Sequence, residues 1–261
     1  MYLRLRQIAL VARALEPVER LLTACLGTAV CYRDPGVGRY GLHNALWALG
    51  GTFLEVVAPT REGTAAGRYL DRRHGDGGYM FIVDCDDLEA RRSHFQAMGV
   101  RIVEDIRRGD EALWSEALHL HPRDTGGCLL SVDRHSGGAD RQGGYRWAGP
   151  DWQARARADL RIAGATMQCA DPGATAARWG ELLRQQPEAR APGVFDLRLD
   201  DTFARFVALE DDRGEGLSVV HLAGADRAAV FAAARAAGAR IDERAGGLAF
   251  AAGGVRFDLV P

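Results

Sequence analysis

The chain has 261 residues, 47% hydrophobic and 26% charged, enough for one large or two ordinary globular domains with their own cores. A formal net charge of -2 and a pI near 6.4 supply no broad cationic field, so nucleic acid is not an expected partner. All 33 basic residues are arginine, which excludes Schiff-base lysine chemistry and a phosphate-loop lysine; five cysteines without a C-x-x-C pair argue against a disulfide framework or a zinc knuckle and suit a reducing compartment.

Residues 1–15 carry Arg4, Arg6 and Arg13 around a short apolar run, too interrupted for a signal peptide or a membrane span, so a cytoplasmic protein without a membrane partner is expected. A strand over 7–11 precedes a helix that begins near Pro17 and stops near Gly27, and strands follow over 44–49 and 52–57. The pattern returns with a strand over 80–83, a helix capped by Asp86 or Asp87 and closed by Gly99, and strands over 117–121 and 128–133. Residues 136–160 lack periodicity and read as a linker, although Trp147 and Trp152 imply that it packs against something. A third copy sets a strand over 165–169 before an Asp171-Pro172 helix start, with strands over 195–199 and 204–209. The fourth has a strand over 217–222, an Ala-rich helix over 226–237 closed by Gly238, and strands over 248–251 and 255–260.

Strand, helix, strands, four times over, predicts an α+β protein of four βαβββ modules. One module exposes an apolar sheet face that it cannot bury alone, so modules should pair into two tandem domains, each an open mixed β-barrel with helices outside and a concave cavity within. The expected division is 1–135, a linker over 136–160, and 161–261.

The run Gly41-Leu42-His43-Asn44-Ala45-Leu46-Trp47-Ala48-Leu49, followed by Phe53-Leu54-Glu55-Val56-Val57-Ala58-Pro59, resembles the glyoxalase-like branch of the vicinal oxygen chelate (VOC) superfamily. His121-Pro122-Arg123-Asp124-Thr125-Gly126-Gly127 is similar to a hairpin of methylmalonyl-CoA epimerase and other members. The resemblance covers most of 3–133 and, beyond that, rests on repeat shape. It implies two tandem VOC domains and one of several activities, since members include isomerases, lyases, extradiol dioxygenases and antibiotic-sequestering proteins. Superfamily members commonly bind a divalent metal through one residue on the first and one on the last strand of each paired module. Those positions correspond here to Gln7, Glu55, Met80 and Ser131, a set with a soft thioether and a weak hydroxyl, so no metal is expected at the usual place. In the second half the first such position is Gly164, and that domain reads as degenerate.

Strand alternation puts Glu55 on one face with Phe53 and Val57, where burial would raise its pKa toward useful acid/base values. The bland alternative is a solvated glutamate at the barrel mouth, or one satisfied by an arginine. Gln7 would orient a ligand by hydrogen bonds, and His43 is a candidate base or donor. Asn44, the only asparagine, suits either ligand contact or a turn cap. Met80, His119 and Ser131 are further ligand-binding candidates, and Asp133, on the face of Ser131, is a polar candidate or a solvated strand end. His119 and His121, two apart on a predicted strand, could form a relocated metal site with Glu55; His121 equally suits a tie for the turn that follows it. Six of the seven histidines precede the linker, which locates the chemistry in the first domain, and His221 reads as a core histidine. The expected function is binding of a small carbonyl or enolisable metabolite, as a lyase or isomerase using Glu55, or alternatively as a sequestering protein of the bleomycin-resistance type. A monomer or homodimer is expected.

Overall fold

In a computed structural model, which describes residues 2–242 and 249–260, the first repeat runs β1 (Leu3–Val11), α1 (Leu15–Leu26), a 3-10 segment (Pro35–Tyr40), β2 (Leu42–Leu49) and β3 (Thr52–Pro59). After α2 (Ala65–Arg72) the second comprises β4 (Gly77–Cys85), α3 (Leu88–Ala97), β5 (Ile102–Gly109), β6 (Trp114–Leu120), α4 (Pro122–Thr125) and β7 (Leu129–His135). The third comprises β8 (Leu160–Cys169), α5 (Pro172–Leu183), β9 (Pro187–Ala191), β10 (Val194–Leu199) and β11 (Thr202–Ala208). The fourth comprises β12 (Gly216–Gly224), α6 (Arg227–Ala236), β13 (Arg240–Asp242), β14 (Ala249–Ala252) and β15 (Val255–Leu259). Three repeats are complete βαβββ modules, whereas the first has its second strand reduced to an isolated bridge between Tyr32 and Leu46.

The helix signals act as read. Asp87, Asp171 and Asp226 each accept a backbone N–H at a helix start, and Gly27 closes α1 in the left-handed conformation with φ of 60°. Strands β5, β9 and β13 carry no clear apolar alternation because each lies at the edge of its sheet, where one flank and most side chains meet solvent. Leu248, the first residue of a predicted strand, lies outside the described residues.

One seven-stranded sheet has the order β2-β3-β1-β4-β7-β6-β5, and an eight-stranded sheet the order β13-β14-β15-β12-β8-β11-β10-β9. In each, the first strands of two repeats meet antiparallel at the centre, β1 with β4 and β8 with β12, and each also pairs in parallel with the last strand of its own repeat. The helix-bearing faces of both sheets share one apolar core. Trp179 of α5 packs edge-on between Phe81 of the first sheet and Phe206 of the second, with ring centroids 5.3 and 5.4 Å away.

The join between the sheets is reciprocal. Thr52 Oγ1 donates to Leu49 O (2.6 Å) and accepts from Ile162 N (2.8 Å); Thr202 Oγ1 donates to Leu199 O (2.7 Å) and accepts from Leu5 N (3.0 Å). In the connection from β7 to β8, Tyr145, Ala148 and Trp152 bury themselves with Cys31, Leu46, Ala48 and Phe53. This segment is therefore built into the concave side of the first sheet. No helix among the described residues is long and apolar enough to cross a membrane.

Candidate active site

The concave face of the first sheet encloses a cavity of about 330 Å³, within the range of small-molecule sites. Its walls are mostly apolar, including Leu42, Leu46, Val57, Met80, Ile82 and Leu129. Two elements close it from outside the sheet: α2 through Ala65 and Ala66, and the 3-10 segment through Val37 and Tyr40. That segment bridges the gap between the edge strands β2 and β5. Arg108 Nη1 on β5 donates to Asp34 Oδ2 (3.2 Å), and Arg39 Nη2 donates to Glu104 Oε2 (2.9 Å). A side chain at Gly36 would meet the Arg108 guanidinium, which would have to shift to make room.

Glu55 sits at the floor of the cavity, 8% exposed, where β3 turns it inward between Phe53 and Val57. Asn44 Nδ2 donates to its Oε1 (2.6 Å) and Gln7 Nε2 to its Oε2 (2.8 Å). Both amides are themselves oriented: Asp34 N donates to Asn44 Oδ1 (2.9 Å), and the Tyr145 hydroxyl donates to Gln7 Oε1 (2.7 Å). Each amide oxygen being occupied, the NH₂ groups are committed to Glu55. Burial pushes the Glu55 carboxyl up to about 7, opposed by the Asn44 hydrogen bond, raised further by Asp34 and opposed by Gln7.

Asp133 of β7 is a second carboxylate in the same cavity. Its Oδ1 accepts from Ser131 Oγ and its Oδ2 from Trp147 Nε1 (2.9 Å), and burial raises it to about 7 against those two hydrogen bonds. His119 of β6 also lines the cavity; burial lowers it to about 4, aided by Arg39 and Arg108, so its imidazole is neutral.

The geometry brings Gln7, Glu55, Met80 and His119 to the cavity, with Asn44 and Ser131 buried just behind, bonded to Glu55 and Asp133 respectively. It leaves out His43, which lies half-buried one residue out of step with the inward Leu42, Asn44 and Leu46 and cannot meet Glu55. His121 is also excluded, because β6 ends at Leu120 and His121 caps α4, its Nδ1 accepting from Arg123 N (3.1 Å). The relocated site of His119, His121 and Glu55 is therefore not assembled, and among the described residues no group of three or more His, Cys, Asp or Glu could hold a metal ion. The thiols of Cys85 and Cys128 are buried and raised by burial, as small core residues are.

The second repeat shows the same relation at two neighbouring levels. Gln7 pairs with Phe53 and bonds to Glu55 two residues on; likewise Met80 pairs with Leu129, two residues before Ser131, and Ile82 pairs with Ser131, two residues before Asp133. The four positions Gln7, Glu55, Met80 and Ser131 thus hold an amide, a carboxylate, a thioether and a hydroxyl, with the carboxylate of Asp133 two residues further along β7. N–H and O–H donors already point at both oxygens of each carboxylate and at the oxygen of Gln7, which is the wrong polarity for a cation, so the residues do not fit a divalent metal.

Tyr145 and Trp147, which orient Gln7 and hold Asp133, were not singled out in the sequence as site residues. The available signal was aromatic residues in a Gly-rich connection. Tyr145 is stacked on Phe53 at 4.1 Å with planes 7° apart.

Three comparisons bear on this architecture. The chain is similar over 83 residues, at 25% identity, to an ethylmalonyl-CoA/methylmalonyl-CoA epimerase of Cereibacter sphaeroides; the match covers 32% of this chain and spans only 62% of the length of that relative. A hypothetical protein from Staphylococcus aureus superposes with a TM-score of 0.68 at 13% identity over 100% of both chains. A mutant 4-hydroxymandelate synthase from Streptomyces coelicolor does so with a TM-score of 0.70 at 11% identity, over 99% of this chain and 92% of its own. At those identities the two structures show the shared fold alone. The family model described as "Glyoxalase-like domain" matches residues 8–183, from β1 through the aromatic connection to the end of α5, and the chain therefore belongs to the glyoxalase-like domain family of the VOC superfamily.

Proposed function

We propose that the first domain is an isomerase or lyase acting on a small organic carbonyl compound, with Glu55 as the base that removes a proton from carbon beside the carbonyl. The observation that carries this reading is a buried carboxyl, held near neutrality by its surroundings and fixed by two oriented amides, facing an apolar cavity. A base with a pKa near ambient pH combines a large ionised fraction with a strong pull on the proton. The similarity to an epimerase supports the same class of step.

Glu55 takes the proton, and the C–H electron pair moves to the carbonyl oxygen to form an enolate. Asp133, whose pKa of about 7 leaves a protonated fraction at neutral pH, lies on β7. Glu55 lies on β3, the two strands flanking the central β1–β4 pair on opposite sides. Return of a proton from Asp133 to the opposite face of the carbon inverts it; expulsion of a leaving group from the enolate instead completes an elimination. Gln7 and Asn44 hold the base in place, while the strap over 35–40 and α2 exclude water.

The test is turnover of a panel of enolisable ketones, esters and thioesters, with solvent deuterium exchange as the readout. Glu55→Gln and Asp133→Asn are each expected to lower the rate by about 10²–10⁴ on any substrate found. Undiminished exchange in E55Q removes the reading, and a tight ligand recovered unchanged with no exchange supports sequestration instead.

A further inference from the structure

The charges around the cavity are not balanced where the ligand would sit. At the rim, Asp34 is paired with Arg108 and Glu104 with Arg39. Deeper in, Glu55 and Asp133 are held only by neutral donors, two amides for one and a hydroxyl and an indole for the other. Arg108 is the one cationic residue lining the cavity among the described residues, and its guanidinium is committed to Asp34 and lies over the Trp147 ring, 5.6 Å from the centroid. His119 is neutral and cannot provide a countercharge. Tyr40 and Tyr79 complete the titratable lining, and burial holds both phenols in their neutral form.

We infer that the cavity selects uncharged, mainly apolar carbonyl compounds and discriminates against carboxylate and phosphate ligands, because it offers an anion two carboxyl groups and no free cation. This substrate class rests on the cavity being the site of Proposed function, but it concerns binding and does not require turnover. An anion bound beside Glu55 and Asp133 must face them ionised, at a like-charge cost, or hold both protonated and so bind with proton uptake. A neutral ketone or ester meets neither cost and gains from burial of its apolar surface. The discrimination must therefore grow as pH rises.

The experiment is calorimetric or thermal-shift binding to the intact chain of matched ester and acid pairs on alkyl, phenyl and indolyl ketone bodies, such as methyl benzoylpropionate and benzoylpropionate, at pH 5.5 and 8.5. Esters are expected to bind at least about tenfold tighter than their acids at the higher pH, with the gap narrowing at the lower pH and in E55Q. Acids that bind as well as their esters at pH 8.5, a pH-independent ratio, or a panel in which no ester binds overturns the inference. If esters are favoured but none undergoes exchange, the ligand class stands and the catalytic reading falls.

Discussion

The two concave faces of this molecule are built on the same strand plan and handle a buried carboxylate differently. Where Gln7 pairs with Phe53 and reaches Glu55, the second sheet pairs Gly164 with Phe203 and has Arg205 two residues on. Across the neighbouring strand Glu55 meets Leu46, whereas Arg205 meets Asp196 and forks onto it at 2.7 and 2.9 Å. Asp196 is 3% exposed and Glu55 8%, so both are buried. Burial pushes each carboxyl up; in Asp196, Arg205 and Arg190 outweigh it and hold the group below the ordinary aspartate range, while in Glu55 neutral amides do not. His221, opposite Gly164, is bonded to Thr166 (2.7 Å) and kept neutral by burial. The lesson is that an inward carboxylate becomes a candidate base through the charge of its neighbours, and an arginine at the matching place turns it into a structural ion pair.

This contrast can be broken from either side, beginning with stability against pH. Folding raises Glu55 from 4.5 to about 7, so it favours the protonated form. Its stabilisation is complete below about pH 4.5 and is lost as pH rises through about 7, an effect on the order of 3 kcal/mol. Denaturant titrations at pH 5 and 8 should show that decline in the wild-type chain and a shallower one in E55Q. Equal slopes would mean that Glu55 titrates alike folded and unfolded.

Trp147→Phe removes one of the two hydrogen bonds on Asp133 without emptying the cavity wall. The pKa assigned to Asp133 in the pH profile of exchange should rise by about one unit, roughly tenfold in proton affinity, with the limb assigned to Glu55 unmoved. A uniform fall in rate with no change in profile would mark Trp147 as packing alone. On the other face, Arg205→Leu leaves Asp196 with Arg190 and should cost about 1 kcal/mol at pH 7, discounted for the partial exposure of Arg205. Asp196 is held low, so its stabilisation is present above about 3.8 and is lost as pH falls; the variant and wild type should converge in acid. Exchange activity in the first domain should be unaffected.

The repeat was legible because its signals are local: aspartate caps, glycine stops and apolar runs at strand spacing. Glu55 and Gln7 were legible for the same reason, an inward polar residue on an apolar strand face. The edge strands β5, β9 and β13 were not, since their side chains mostly meet solvent and carry no clear apolar alternation, unlike the buried edge strand β2. Register escaped as well, because a bulge between Leu5 and Gln7 and another between Ala9 and Leu10 shift the pairing of β1 with β4, and no spacing rule shows that Asp133 joins Glu55 at the cavity. Tyr145, Trp147 and Arg108 reach the site from a connection and an edge strand, so their roles follow from tertiary closure that no spacing rule encodes.

The most direct measurement is the pH titration of the carboxyl stretch by infrared difference spectroscopy, wild type against E55Q. One carboxyl absent from the variant should ionise near pH 7. If the band lost in the variant instead ionises near 4.5, in the range of a solvated glutamate, the apolar cavity does not perturb Glu55 and the base assigned to it is contradicted.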